Sequence, residues 1–287
     1  MSEPRYPYVA VDVTEEEAEE AGALLFELGA GGVEQRDGTT LKRGAAGKVT
    51  LVGSFEKEED ARAAMAELPQ GWGARLDEVV GDAWRDEWKK HFVPFVLCPG
   101  VVVRPPWMEH DAAPGEHVVV LEPGRAFGTG LHETTALVAE VLAGEALAGK
   151  DVLDVGCGSG VLALVALALG ARQARAIDVD PDAVAVTREN AERNGVAARV
   201  ATDTTPVEAV RERYPVVLAN IEATTLVGMA AALAATVAPG GLLVLSGILA
   251  PDVVPAQIED VRRAFASLRE EGVRRRGEWI AIVARAP

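Results

Sequence analysis

Residues 150–160 read Lys-Asp-Val-Leu-Asp154-Val-Gly156-Cys-Gly158-Ser-Gly160. A short apolar strand ends near Asp154, turns through three glycines at alternate positions, and opens into the apolar run Val161 to Leu169. Such a turn can bring backbone close to a ligand, because no Cβ stands in the way. The helix after it points free N–H groups back at the turn. A second short strand, Ala174 to Asp178, then ends in a carboxylate. A strand, a glycine turn, a helix and an acid at the next strand end are the parts of a nucleoside-binding crevice in an α/β sheet.

The spacing narrows the nucleoside. The dinucleotide fingerprint G-x-G-x-x-G needs its third glycine where this chain has Val161. Here the order is G-x-G-x-G, with Asp154 two residues ahead. A carboxylate so near the turn is a poor neighbour for a pyrophosphate and a good one for an amino group or a sulfonium. Asp-x-Gly-x-Gly-x-Gly resembles the pattern of S-adenosylmethionine-dependent methyltransferases, in which Asp178 accepts hydrogen bonds from the ribose hydroxyls. A plain glycine turn in an NAD-type fold is the alternative. A second glycine match, Gly144 to Asp151, nearly fits a P-loop, but it lacks the final Ser/Thr and precedes its strand.

At 287 residues the chain can hold two domains. Its formal net charge of −16 disfavours gripping a phosphate backbone, so no direct nucleic-acid binding is expected. A basic partner suits it; general solubility explains the charge equally well. The two cysteines, Cys98 and Cys157, build neither a disulfide framework nor a zinc site, and the four histidines have no metal spacing, so no metal is expected. No apolar signal segment or membrane-length run is present, which points to a cytoplasmic protein. A monomer is expected.

Residues 1–79 read as a small β-α-β-β-α-β domain, ferredoxin-like. A capping box, Thr14 to Glu17, opens its first helix. This segment holds 17 acidic and 8 basic residues and shows no catalytic constellation, so a substrate-docking role fits it. Residues 80–95 form an expected linker helix, with Trp84, Trp88 and Phe92 in a stripe that suits packing better than ligand recognition. From 96 to 287 strands and helices alternate, giving a mostly parallel sheet closed by an antiparallel edge near 272–284: a seven-stranded Rossmann-like sheet. Within it, weaker helical character covers 206–213, and fuller helices cover 224–237 and 252–270.

Two segments fall at carboxyl ends of strands, where open α/β sheets bind ligands. The loop Glu122 to Thr135 carries Phe127, Thr129, His132, Thr134 and Thr135 among its glycines. Thr134 or Thr135 can cap the next helix or face a ligand. The other segment, Val216-Val-Leu-Ala-Asn220-Ile221-Glu222-Ala223, ends a strand in a neutral amide. Its carbonyl oxygen can accept a hydrogen bond from an attacking amine. Enzymes that methylate planar nitrogens often follow this Asn with an aromatic platform; here none follows, which suits a flexible aliphatic amine. A capping Asn is the plain alternative.

Together, Phe-Gly-Thr-Gly-Leu-His-Glu-Thr-Thr (127–135), Asp-Val-Gly-Cys-Gly-Ser-Gly (154–160), Ile-Asp-Val-Asp-Pro (177–181), Glu-Asn-Ala-Glu-Arg-Asn-Gly (189–195), Leu-Ala-Asn-Ile (218–221) and Leu-Ser-Gly-Ile-Leu (245–249) resemble the bacterial ribosomal protein L-eleven methyltransferases (PrmA family). The resemblance is specific from about residue 81 onward and rests on domain order before that. It implies a class I methyltransferase that uses S-adenosylmethionine, releases S-adenosylhomocysteine, and trimethylates lysine side chains and the N-terminal amine of a basic large-subunit ribosomal protein. Cofactor positions carry over onto Thr135, Gly156, Asp178 and Asn220. Phe127, Thr129, Asp154, Gly158 and Gly160 complete the expected cofactor contacts. Asn220 is the expected catalytic residue and His132 the candidate base. A methyltransferase of RNA or of a small-molecule amine is the alternative.

Overall fold

The computed structural model describes residues 5–14, 17–30, 32–36, 49–55, 57–80, 92–122 and 132–287. The chain divides into two units, Met1–His91 and Phe92–Pro287. The expected linker helix spans that division, and its residues 81–91 lie outside the described ones.

The first unit runs β1 (Arg5–Val13), α1 (Ala18–Glu27), β2 (Gly32–Arg36), β3 (Val49–Ser54), α2 (Glu58–Glu67) and β4 (Arg75–Val80). Its sheet order is β2-β3-β1-β4, with every neighbour antiparallel, the ferredoxin-like arrangement expected from the element order. Alternation in β1 turns Val9, Val11 and Val13 onto Ala21 and Leu25 of α1 and Ala61 and Ala64 of α2. The capping box forms by half. Glu17 accepts from the Thr14 N–H at 3.0 Å, but the Thr14 hydroxyl also donates to Glu17, at 2.8 Å, instead of accepting from the helix.

The second unit opens with a three-stranded sheet, β5 (Phe95–Cys98), β6 (Val101–Arg104) and β7 (His117–Val120). The main sheet has seven strands: β8 (Asp151–Val155), β9 (Gln173–Ile177), β10 (Val200–Asp203), β11 (Tyr214–Asn220), β12 (Val237–Leu249), β13 (Arg269–Arg276) and β14 (Trp279–Arg285). Their order is β10-β9-β8-β11-β12-β14-β13, parallel except where β14 pairs antiparallel with β12 and β13.

Helices cover both faces, so the central strands are mostly apolar rather than alternating, with Asp154 the buried exception in β8. Helices α3 (Glu133–Ala143), α4 (Val161–Ala168) and α5 (Pro181–Arg193) contribute to one core with Val152, Val216 and Leu218. Helices α6 (Ala223–Gly228), α7 (Ala230–Thr236) and α8 (Pro255–Ala264) join the other with Leu153, Val217 and Ala219. From β8 the chain builds outward through β9 and β10, then crosses back to β11 on the other side. The carboxyl ends of β8 and β11 therefore flank a topological switch point, where such sheets bind ligands.

Three expected helices differ. The one over 206–213 is a single 3-10 turn, Val207–Ala209. Buried Val207 and Val210 stand three apart, a spacing that the tighter turn satisfies, and β11 starts already at Tyr214. The one over 224–237 divides at Met229, directly after Gly228, a poor residue for a helix interior. The one over 252–270 begins at Pro255, where proline's fixed φ suits a first turn, and gives way to β13 at Arg269.

Candidate functional site

The turn after β8 holds Gly156, Gly158 and Gly160 at φ 70°, 52° and 79°, a region that other residues enter at a cost. The N–H groups of Gly156 and Cys157 both donate to the Ile177 carbonyl, at 2.8 and 3.1 Å, which locks the turn onto β9. Close approach matters as much as conformation. A Cβ on Gly156 would stand 2.8 Å from the Ile221 side chain, and one on Gly160 would stand 2.7 Å from Thr187. The empty Cβ positions at 156 and 160 are thus filled by the protein's own side chains.

Asp178 follows β9 and lies on the wall of a cavity of about 470 Å³ at the switch point. It accepts from the Gly158 N–H at 2.9 Å and the Asp180 N–H at 3.1 Å, which fixes its carboxylate beside the turn. Asp154 lies behind the turn instead. It is 1% exposed, and its carboxylate accepts from the Ala163 N–H at 3.1 Å, capping the first turn of α4. Burial pushes its carboxyl up to about 7; the Ala163 N–H opposes the shift and the charge of Asp178 adds to it. Cys157, inside the turn, is buried with its sulfur 3.3 Å from the Thr187 hydroxyl, and burial raises its thiol far above the ordinary range, so it is inert.

Helix α5 ties these parts together. Its Thr187 hydroxyl donates to the Gly158 carbonyl at 2.9 Å. Its Asn190, fully buried, donates to the Ser159 carbonyl at 3.0 Å and accepts from the Glu122 N–H at 3.3 Å. Its C-cap residue, Asn194, accepts from the Val120 N–H at 2.8 Å and donates to the Val120 carbonyl at 2.7 Å. Glu122 also pairs with Arg193.

Asn220 ends β11 on the cavity wall. Its amide NH₂ donates to the hydroxyl of Thr135, a buried residue in the first turn of α3, at 3.4 Å. That leaves the amide oxygen available to another donor. The cap of α3 falls to His132, not to a threonine. Its Nδ1 accepts from the Thr134 N–H at 3.4 Å and lies 2.8 Å from the Thr134 hydroxyl, while the ring meets Trp279 edge-on at 5.0 Å. His132 is not among the residues lining the cavity. Phe127 and Thr129 lie outside the described residues. Among the described residues no group of three or more His, Cys, Asp or Glu could hold a metal, and no helix is long and apolar enough to cross a membrane.

Sequence reasoning missed the far side of the cavity. Val179, 79% exposed beside Asp178, faces it, as do Thr205, Pro206 and Val207 after β10, and Glu222 and Met229 around α6. The rule that points to strand carboxyl ends would have found the segment after β10 had it been applied there too.

The arrangement offers a carboxylate for vicinal hydroxyls, an apolar slot for a flat ring, and an amide oxygen for an amine. The family profile described as "Ribosomal protein L11 methyltransferase (PrmA)" matches residues 5–287. A ribosomal protein L11 methyltransferase of Sorangium cellulosum is 54% identical over 308 aligned positions, covering 99% of this chain and 97% of that protein. One of Geobacter sulfurreducens is 40% identical, covering 88% and 84%. The crystal structure of a ribosomal protein L11 methylase from Lactobacillus delbrueckii subsp. bulgaricus superposes with a TM-score of 0.61 at 27% identity, over 68% of this chain and 100% of that one. The chain belongs to the ribosomal protein L11 methyltransferase family.

Proposed function

We propose that this protein transfers methyl groups from S-adenosylmethionine to amines of ribosomal protein L11, on lysine side chains and at the N-terminus. The observation that carries the reading is the convergence of Asp178, Asn220 and Gly156 on one cavity at the switch point, with Thr135 behind Asn220 and Gly158 behind Asp178 as hydrogen-bond partners. A volume of about 470 Å³ suits a nucleoside with a short side chain. Asp178 would take the ribose hydroxyls, and Val179, Pro206, Val207 and Met229 would enclose the adenine between apolar surfaces. The glycine turn and Asn220 would hold the methionine end, with Phe127 and Thr129 completing that side. Asp154 would serve by fixing α4 and hence the turn. When bound, S-adenosylmethionine supplies a methyl group on a positively charged sulfur.

What remains for the chain is to present a neutral amine. A lysine with pKa near 10.4 costs about 4–5 kcal/mol to deprotonate at pH 7, and an α-amine near 8 about 1 kcal/mol. His132, spent on capping α3 against Trp279, is poorly disposed as the base. Desolvation beside a cationic sulfur lowers the amine pKa. The Asn220 amide oxygen then receives the remaining N–H and aims the lone pair, so positioning supplies much of the rate. The acidic first unit would dock the basic substrate by charge, and the enzyme would act as a cytoplasmic monomer.

Mass spectrometry of ribosomal protein L11 incubated with enzyme and S-adenosylmethionine tests the reading. Mass gains in steps of one methyl, mapped to lysine or the N-terminal residue, are expected. An unmodified protein, or label appearing in RNA instead, overturns it.

A further inference from the structure

Glu222 follows Asn220 and Ile221 on the cavity wall. Its carbonyl accepts from the Leu226 N–H at 3.0 Å, and Ile221 before it is held from several sides. The Ile221 N–H donates to the Ser246 carbonyl at 3.1 Å, and the Ile221 carbonyl occupies the space that a Cβ on Gly247 would need. The Ile221 side chain rests on Gly156. Glu222 stands at the N-cap of α6, with φ −51° and ψ 139°, yet its carboxylate caps no N–H there. One oxygen accepts from the Thr224 hydroxyl at 3.1 Å; the side chain is otherwise exposed. Elsewhere in this unit, carboxylates such as Asp203, Glu212, Glu270 and Glu271 are paired with arginines. No described cation pairs with Glu222.

An exposed carboxylate on the cavity wall, on a fastened stretch of backbone two residues from an amide placed to take a neutral amine, forms a second station for the same nitrogen. We propose that Glu222 is a specificity-determining residue that receives the substrate's amine in its protonated, cationic form. This rests on the methyltransferase reading above. The two stations divide the work. Ammonium binds carboxylate through charge-assisted hydrogen bonds. Solvent at the exposed carboxylate keeps that pairing weak enough for the amine to shed its proton and move to Asn220. In each transfer the nitrogen would exchange an N–H for an N–CH₃ as the donor's sulfur–methyl bond breaks, with the proton passing to solvent and S-adenosylhomocysteine leaving. Monomethyl- and dimethylammonium keep both charge and an N–H, so Glu222 retains them for another round. Trimethylammonium has no N–H left, is held by charge alone, and leaves.

The test uses the full-length protein with ribosomal protein L11 as substrate and three forms: wild type, Glu222→Gln and Glu222→Asp. Glu222→Gln is expected to raise KM for the ribosomal protein roughly 10-fold, with kcat within about threefold. Mono- and dimethylated products should accumulate early in its time course. Glu222→Asp should restore most of the KM. The affinity for S-adenosylmethionine, measured by calorimetry, should be the same in all three. An unchanged KM and product distribution in Glu222→Gln overturns the proposal. So does a parallel loss of cofactor affinity, which would assign Glu222 to the cofactor's side of the cavity. A wild-type protein that binds cofactor but leaves the ribosomal protein unmodified would instead overturn the reading on which this rests, and the proposal with it.

Discussion

The ends of β8 and β9 lie side by side, Val155 opposite Ile177, and each is flanked by an aspartate. The two aspartates have opposite fates. Asp154 is sealed under the glycine turn and spends its carboxylate on an N–H of α4; Asp178 stands on the cavity wall with its carboxylate braced by the turn. What separates them is position. Asp154 precedes the last residue of β8, so its side chain is still governed by the packing of the sheet. Asp178 follows β9, beyond the reach of that packing. The same residue type thus becomes a structural post on one strand and a candidate ligand contact on its neighbour.

The most damaging way to break the contrast is at the turn between them. Gly160→Val puts a branched side chain at φ 79°, with its Cβ 2.7 Å from Thr187. A loss of about 2–4 kcal/mol in denaturant unfolding is expected from backbone strain and overpacking together. Next come the aspartates themselves. Asp178→Ala should weaken S-adenosylmethionine binding roughly 10- to 100-fold by calorimetry, while the melting temperature shifts little. Asp154→Ala should do the reverse, costing about 1–3 kcal/mol of stability at about pH 4–5, where the buried carboxyl is protonated, by orphaning the Ala163 N–H. If both variants lose affinity alone, Asp154 faces the ligand after all.

A pH series sharpens the same contrast. The Asp154 carboxyl has its folded pKa raised to about 7, from an ordinary value near 3.9 in the unfolded chain. Between those values the folded state holds the proton and the unfolded state does not. The contribution of Asp154 to stability is therefore fully present below about pH 4 and is lost as pH rises to about 7. The slope in that window is at most about 1.4 kcal/mol per pH unit. Asp154→Asn should flatten that part of the curve, read from urea midpoints at each pH; an unaltered curve would mean that Asp154 does not titrate there. The smallest effect belongs to the β9 side. Val179→Ser should weaken cofactor binding by about two- to fivefold through lost apolar contact, with stability unchanged.

The sheet was legible because both of its faces are covered, so Val216–Ala219 reads as an unbroken apolar run and Val152–Val155 as one broken only by the buried Asp154. The candidate site was legible wherever backbone geometry demands glycine, as at Gly156 and Gly160. It was illegible where the answer depends on rotation or distance in space. Spacing put Asp154 near the turn but could not tell which way its carboxylate points. Nothing near Val179 or Pro206 in the sequence says that they share a cavity with Asn220, since three different strand ends bring them together. The break at Met229 was missed because the three alanines after it favour helix and a lone glycine such as Gly228 is often tolerated within one.

Asn190 has a consequence for how this protein could be rebuilt. One buried amide grips the glycine turn through the Ser159 carbonyl and, with its other end, the chain at Glu122, where the 123–131 segment begins. The two segments are distant in sequence but share one residue of α5 as a fastening. A chimera that imported either segment keeps its fastening only if Asn190 stays in place on α5. The smallest piece that can be transplanted intact is therefore the trio of turn, segment root and helix.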